Sequence, residues 1–194
     1  PQPLTIEIAD VVFEKRDTTH FNITIRNKKE SSTSVTIDKM TVTLENGTSK
    51  EINRTLITPT LPYKLNLNSN RTFTCPLDWT RYWGKNVTVY IFTIQNYTFY
   101  RVKATPSPIE ITDALFDAAD TNSFNVTVHN SVFYYNQVII TNITLTFENG
   151  TIKEIDEKAV SPQLSYPLNR SLSVPFRCPW NWIDYQGKSV TITV

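Results

Sequence analysis

Apolar and polar residues alternate with a period of two along most of the chain. Leu4, Ile6 and Ile8 are spaced by Thr5 and Glu7, Phe21, Ile23 and Ile25 by Asn22 and Thr24, and Phe124, Val126 and Val128 by Asn125 and Thr127. Successive side chains of a strand point to opposite faces, so each such run buries one face and wets the other. No segment keeps a 3.6-residue period. In the first half, turn residues break the alternation into strands near 4–13, 19–27, 35–45, 48–54, 63–75, 86–94 and 97–103. Seven short strands in about 100 residues is the pattern of an immunoglobulin-like sandwich.

The pattern then repeats 103 residues later with no insertion: Ile6/Ile109, Ile8/Ile111, Asp10/Asp113, Phe21/Phe124, Cys75/Cys178, Trp79/Trp182, Gly84/Gly187 and Lys85/Lys188 all coincide. This is a tandem duplication. The expected fold is all-β, with two tandem immunoglobulin-like β-sandwich domains at 1–105 and 106–194. A short Pro-stiffened joint, Ala104-Thr105-Pro106-Ser107-Pro108, links them.

The register runs out at Val194, the counterpart of Ile91, so residues 92–103 have no match in the second repeat. The second sandwich is expected to lack its last strand, leaving unpaired backbone groups and an apolar groove. Two explanations stay open. The 194 residues are part of a longer repeat array, or a neighbouring subunit completes the sandwich by β-augmentation. Leu4, Ile6 and Ile8, on one face of strand 4–13, mark a candidate donor strand. A donor and a groove at opposite ends of a subunit make a contact that never closes, which implies a head-to-tail homopolymer.

Composition adds the surroundings. The net charge is +1, with no basic stripe to attract nucleic acid, and no apolar run approaches the length of a membrane span. Polarity comes from 28 Thr, 17 Asn and 13 Ser. N-glycosylation sequons stand at Asn22, Asn46, Asn53, Asn70, Asn86, Asn96, Asn125, Asn142, Asn149 and Asn169, well above what this composition would produce by chance. Those on strands fall on the water-facing side, and Asn46 and Asn149 sit in Asn-Gly turns. Covalent N-glycans and an extracellular, cell-surface location follow as expectations. A start at Pro1 reads as a mature N-terminus.

Chemistry is sparse. There is no nucleophile elbow, phosphate loop or metal-ligand spacing, so no enzyme, cofactor or metal is expected. His20 and His129 are isolated, and the repeated acids Asp10/Asp113, Asp17/Asp120 and Glu45/Glu148 suit turns as well as a Ca²⁺ site. Cys75 and Cys178, one per repeat, are expected as buried free thiols, with an intermolecular bridge as the alternative. Trp79 and Trp182 match between repeats and read as core. Trp83 and Trp180 do not match, and read as a possible interface.

Tandem all-β units, a sequon-dense surface and an unfinished last sandwich resemble the subunits of archaeal extracellular threads and related donor-strand-linked pili. The repeat opening "IEIADVVFEKRDTTHFNITIRN" also resembles CARDB-type immunoglobulin-like modules of prokaryotic surface proteins. That resemblance implies a structural subunit of a glycosylated surface filament serving adhesion or cell–cell contact. The competing readings are a tandem-sandwich binding module, such as an adhesion receptor or carbohydrate-binding ectodomain, and a fragment of a larger surface-layer protein.

Overall fold

The computed structural model describes residues 5–31, 33–134 and 136–194. They are almost wholly strand and turn, apart from one 3₁₀ turn at Ile183–Tyr185, and form two compact units, Pro1–Ser107 and Pro108–Val194.

Unit 1 contains β1 (Ile6–Val12), β2 (His20–Asn27), β3 (Val35–Leu44), β4 (Ser49–Glu51), β5 (Tyr63–Leu65), β6 (Ser69–Pro76), β7 (Asn86–Thr93) and β8 (Thr98–Ala104). One antiparallel sheet has the order β1-β2-β6. The other runs β4-β3-β7-β8, with β5 also paired to β3. The inward rows are those of the alternation: Phe21, Ile23, Ile25, Phe73 and Cys75 from the first sheet, and Val35, Ile37, Met40, Val42, Val87, Val89 and Ile91 from the second. All are buried, the arrangement that two amphipathic sheets require. Trp79 plugs one end, its indole N–H donating to Asp17 O and His20 O, both at 3.0 Å.

The structure divides one expected strand. Residues 63–75 become β5 and β6 in different sheets, with Asn68 at φ 52° between them, although Tyr63, Leu65 and Leu67 keep the apolar alternation. Asn tolerates that left-handed conformation better than most residues. The connection carries the chain from one layer to the other.

Unit 2 contains β9 (Ile109–Leu115), β10 (Ser123–Asn130), β11 (Val138–Ile140), β12 (Thr144–Phe147), β13 (Ile152–Glu154), β14 (Tyr166–Leu168), β15 (Ser173–Pro179) and β16 (Val190–Thr193). Its sheets are β15-β10-β9, β13-β12-β16 and the pair β11-β14. Phe124, Val126, Val128, Ile143, Leu145, Leu168, Phe176 and Cys178 form the core. Both units share a buried amide clamp. Asn27 Nδ2 donates to Thr33 O and Leu65 O, and Asn130 Nδ2 donates to Asn136 O and Leu168 O.

The repeated Asn-Gly hairpin is a three-residue loop in which only the glycine takes positive φ. Gly47 N donates to Leu44 O at 2.9 Å with φ 82°, and Gly150 N donates to Phe147 O at 2.8 Å with φ 80°. Nothing lies within 4 Å of a Cβ placed on either glycine. Gly47→Ala or Gly150→Ala should therefore cost only the left-handed backbone penalty, about 1–2 kcal/mol, in chemical denaturation. By contrast Phe73→Ala, which opens a cavity in the unit 1 core, should cost about 3–5 kcal/mol.

Candidate functional site

The two repeats differ most along one side of the sandwich. In unit 1, β8 pairs with β7 and packs against β1, closing the gap between the two sheets. Its side chains alternate: Phe99, Arg101 and Lys103 are half-buried toward the sandwich, while Thr98, Tyr100, Val102 and Ala104 face water. Opposite it, β1 carries a bulge between Ile8 and Asp10. A bulge leaves backbone groups outside the ladder, and here Arg101 takes them up. Its guanidinium donates to Ile8 O at 2.8 Å and to Ala9 O, and Lys103 Nζ lies 3.7 Å from Asp10 Oδ1. Under this cover Ile6, Ile8 and Val11 are buried.

Unit 2 has the same bulge, between Asp113 and Ile111, but no described strand beyond β16. β16 pairs with β12 on one side only. The inner row of β9 is consequently open. Ile111 is 38% exposed where its counterpart Ile8 is 7%, and Ala114 is exposed where Val11 is fully buried. On β16, Val190, Ile192 and Val194 are half-buried at the positions of Val87, Val89 and Ile91, all of them buried. The result is a slot lined by backbone edge, aliphatic side chains and one acid, Asp113.

An aromatic cavity of ≈ 170 Å³ adjoins one end of β16, lined by Phe116, Phe147, Trp180, Trp182, Tyr185 and Val190 among others. Trp180 is half-buried there, 5.6 Å from Phe147 and 5.1 Å from Tyr185 between ring centroids. In unit 1 the corresponding corner is filled. Trp83, at the position of Gln186, is 7% exposed and lies 4.9 Å from Trp79. Thr105 and Pro106, just past β8, also tie down the adjoining loop. Thr105 Oγ1 donates to Tyr82 O and Lys85 O, and Pro106 O accepts from Gly84 N at 2.9 Å. Of the two candidate interface tryptophans, then, Trp83 belongs to the core and Trp180 borders the open cavity.

The candidate donor residues fold into their own unit. Ile6 and Ile8 are buried in β1, which pairs along its length with β2, while Leu4 lies outside the described residues. A period-two strand of this kind satisfies its own sheet as readily as a neighbour's, which sequence spacing alone does not distinguish. Nine of the ten sequon asparagines are exposed and Asn22 is half-buried. Asn22 and Asn70 lie on the outer face of the β1-β2-β6 sheet, and Thr24 and Thr72, which complete those two sequons, share a 2.9 Å hydroxyl hydrogen bond.

The repeated acids act locally. Asp17 accepts from the Thr19 backbone N–H and hydroxyl, and Asp120 accepts from Ser123 and Arg177; these hydrogen bonds hold both carboxyls below their ordinary range. Among the described residues no three His, Cys, Asp or Glu side chains cluster as metal ligands. Burial pushes the Cys75 and Cys178 thiols up to about 12. Also among the described residues, no helix is long and apolar enough to cross a membrane.

No protein-family model and no curated protein matches the chain. Solved structures similar to it include the class 5 fimbriae chaperone CfaA, at 11% identity and TM-score 0.36 over 98% of this chain and 99% of that one. A chaperone–tip adhesin complex of CFA/I fimbriae is similar at 12% identity and TM-score 0.32, over 92% of this chain and 93% of that one. Red sea bream transglutaminase follows at 12% identity and TM-score 0.42, over 92% of this chain but 27% of the enzyme. Likeness this distant leaves function to be read from the chain's own geometry.

Two measurements check this geometry. In the 194-residue chain, outward-facing amides of β16 should exchange with solvent orders of magnitude faster than the β7 amides bonded to β8; equal protection would mean the edge is covered. Neither thiol should react with a maleimide at mildly alkaline pH until the fold opens.

Proposed function

We propose that the chain is a structural subunit of an extracellular, N-glycosylated filament, in which each unit 2 is completed by a β-strand from a neighbouring molecule. One observation carries the reading. The side of unit 2 that β8 closes in unit 1 presents an unpaired strand edge beside open aliphatic rows and an aromatic cavity. An exposed edge of this kind is a template for another strand, and strand addition supplies main-chain hydrogen bonds and side-chain pockets together. Each aliphatic side chain that becomes fully buried contributes about 1.5–3 kcal/mol before ordering costs. A few such residues match the ~5–15 kcal/mol stability of a small domain.

The sequon positions support the extracellular part of the reading, since a glycan must project into solvent and nine acceptors are exposed. Strand 4–13 is the less favoured donor. To leave its own sheet it would uncover Ile6, Ile8 and Val11 in unit 1.

Electron microscopy of material from the native source should reveal fibres one molecule wide, and intact mass before and after deglycosylation should differ by several glycans. Single particles with unit 2 closed by residues of the same polypeptide would overturn the polymer. An unchanged mass would remove the glycoprotein.

A further inference from the structure

The slot in unit 2 is built to read more than apolar alternation. Unit 1 shows what an occupied slot looks like, because the repeat preserves the acceptors on both sides of the comparison. The bulge carbonyls of Ile8 and Ala9 correspond to those of Ile111 and Thr112, and Asp10 corresponds to Asp113. In unit 1 two cations answer them, Arg101 at the carbonyls and Lys103 at the carboxylate. Among the described residues of unit 2, no cationic side chain meets either. One step further along, Thr105 and Pro106 satisfy the 82–85 loop, whereas Gly187 N, the counterpart of Gly84 N, has no partner among the described residues.

We infer that the strand completing unit 2 is selected by a basic pair two residues apart on its inward face, preceded by an aromatic and followed by Thr-Pro. This is the chemistry of Phe99, Arg101, Lys103, Thr105 and Pro106. The inference rests on the reading of unit 2 as a strand acceptor and names what that acceptor recognises. Arg suits the first cationic position because its guanidinium stays charged and is more weakly hydrated than an ammonium, and one terminal nitrogen, Nη1, donates to both carbonyls of the bulge. Lys suits the second because an exposed carboxylate needs only a mobile point charge. The aromatic cavity by Trp180 lies where the strand would end, in reach of the residues after the basic pair. Strand 4–13 fails this test, since its inward face is aliphatic and its charges, Glu7 and Asp10, are acidic.

The test titrates three synthetic peptides into the isotope-labelled, unassembled 194-residue chain. The first copies residues 96–106, the second is the same peptide with Arg101→Ala and Lys103→Ala, and the third copies residues 4–13. The first should perturb amides in 109–116 and 187–194 and bind at least about tenfold more tightly than the other two, a factor within reach of charge-assisted hydrogen bonds. Asp113→Asn in the chain should weaken the first peptide severalfold and leave a Lys103→Ala peptide unaffected. Equal binding by the first two peptides, or preference for 4–13, overturns the basic-pair rule and leaves strand addition standing. No binding by any peptide, or shifts confined to unit 1, overturns both.

Discussion

A guanidinium resting on a kinked backbone decides how this fold is closed. β1 bulges at Ala9, and a bulge leaves backbone groups outside the ladder that need another partner. Arg101 satisfies them from the opposite sheet, and in doing so fixes β8 over Ile6, Ile8 and Val11. The same side chain thus meets a polar requirement and seals an apolar seam. Unit 2 has the same kink, no guanidinium meets it among the described residues, and on that flank Ile111 is exposed, β16 is half-covered and the aromatic corner holds a cavity.

Much of the architecture was legible because a period of two is hard to mimic. Rows such as Phe21-Ile23-Ile25 and Val87-Val89-Ile91 could only line a sandwich, and the 103-residue repeat announced that there were two. Breaks were harder to place. Asn66 to Asn70 reads as polar strand, yet the chain changes layer there, because a single left-handed residue leaves no trace in the hydrophobic pattern. The second repeat likewise divides into β11 and β12 where its counterpart β3 runs unbroken.

Of the site, spacing revealed that residues 92–103 have no match in the second repeat, but not which groups β8 meets on β1. That depends on backbone carbonyls, which carry no sequence signature, and on Arg101 and Lys103 reaching across two sheets from 93 residues away. The tryptophans mark the same limit. Trp83 and Trp180 were equally unmatched, but the first turns inward onto Trp79 while the second, replacing Leu77, is left half-covered. Only the neighbours of a ring decide between those outcomes.

The two cysteines have a consequence for durability. With each sulfur sealed inside its own module and its proton held far into the alkaline range, neither is available to weld one molecule to the next. In the filament proposed above, union between copies would therefore not run through these sulfurs, and its durability would depend on how slowly an added strand peels away.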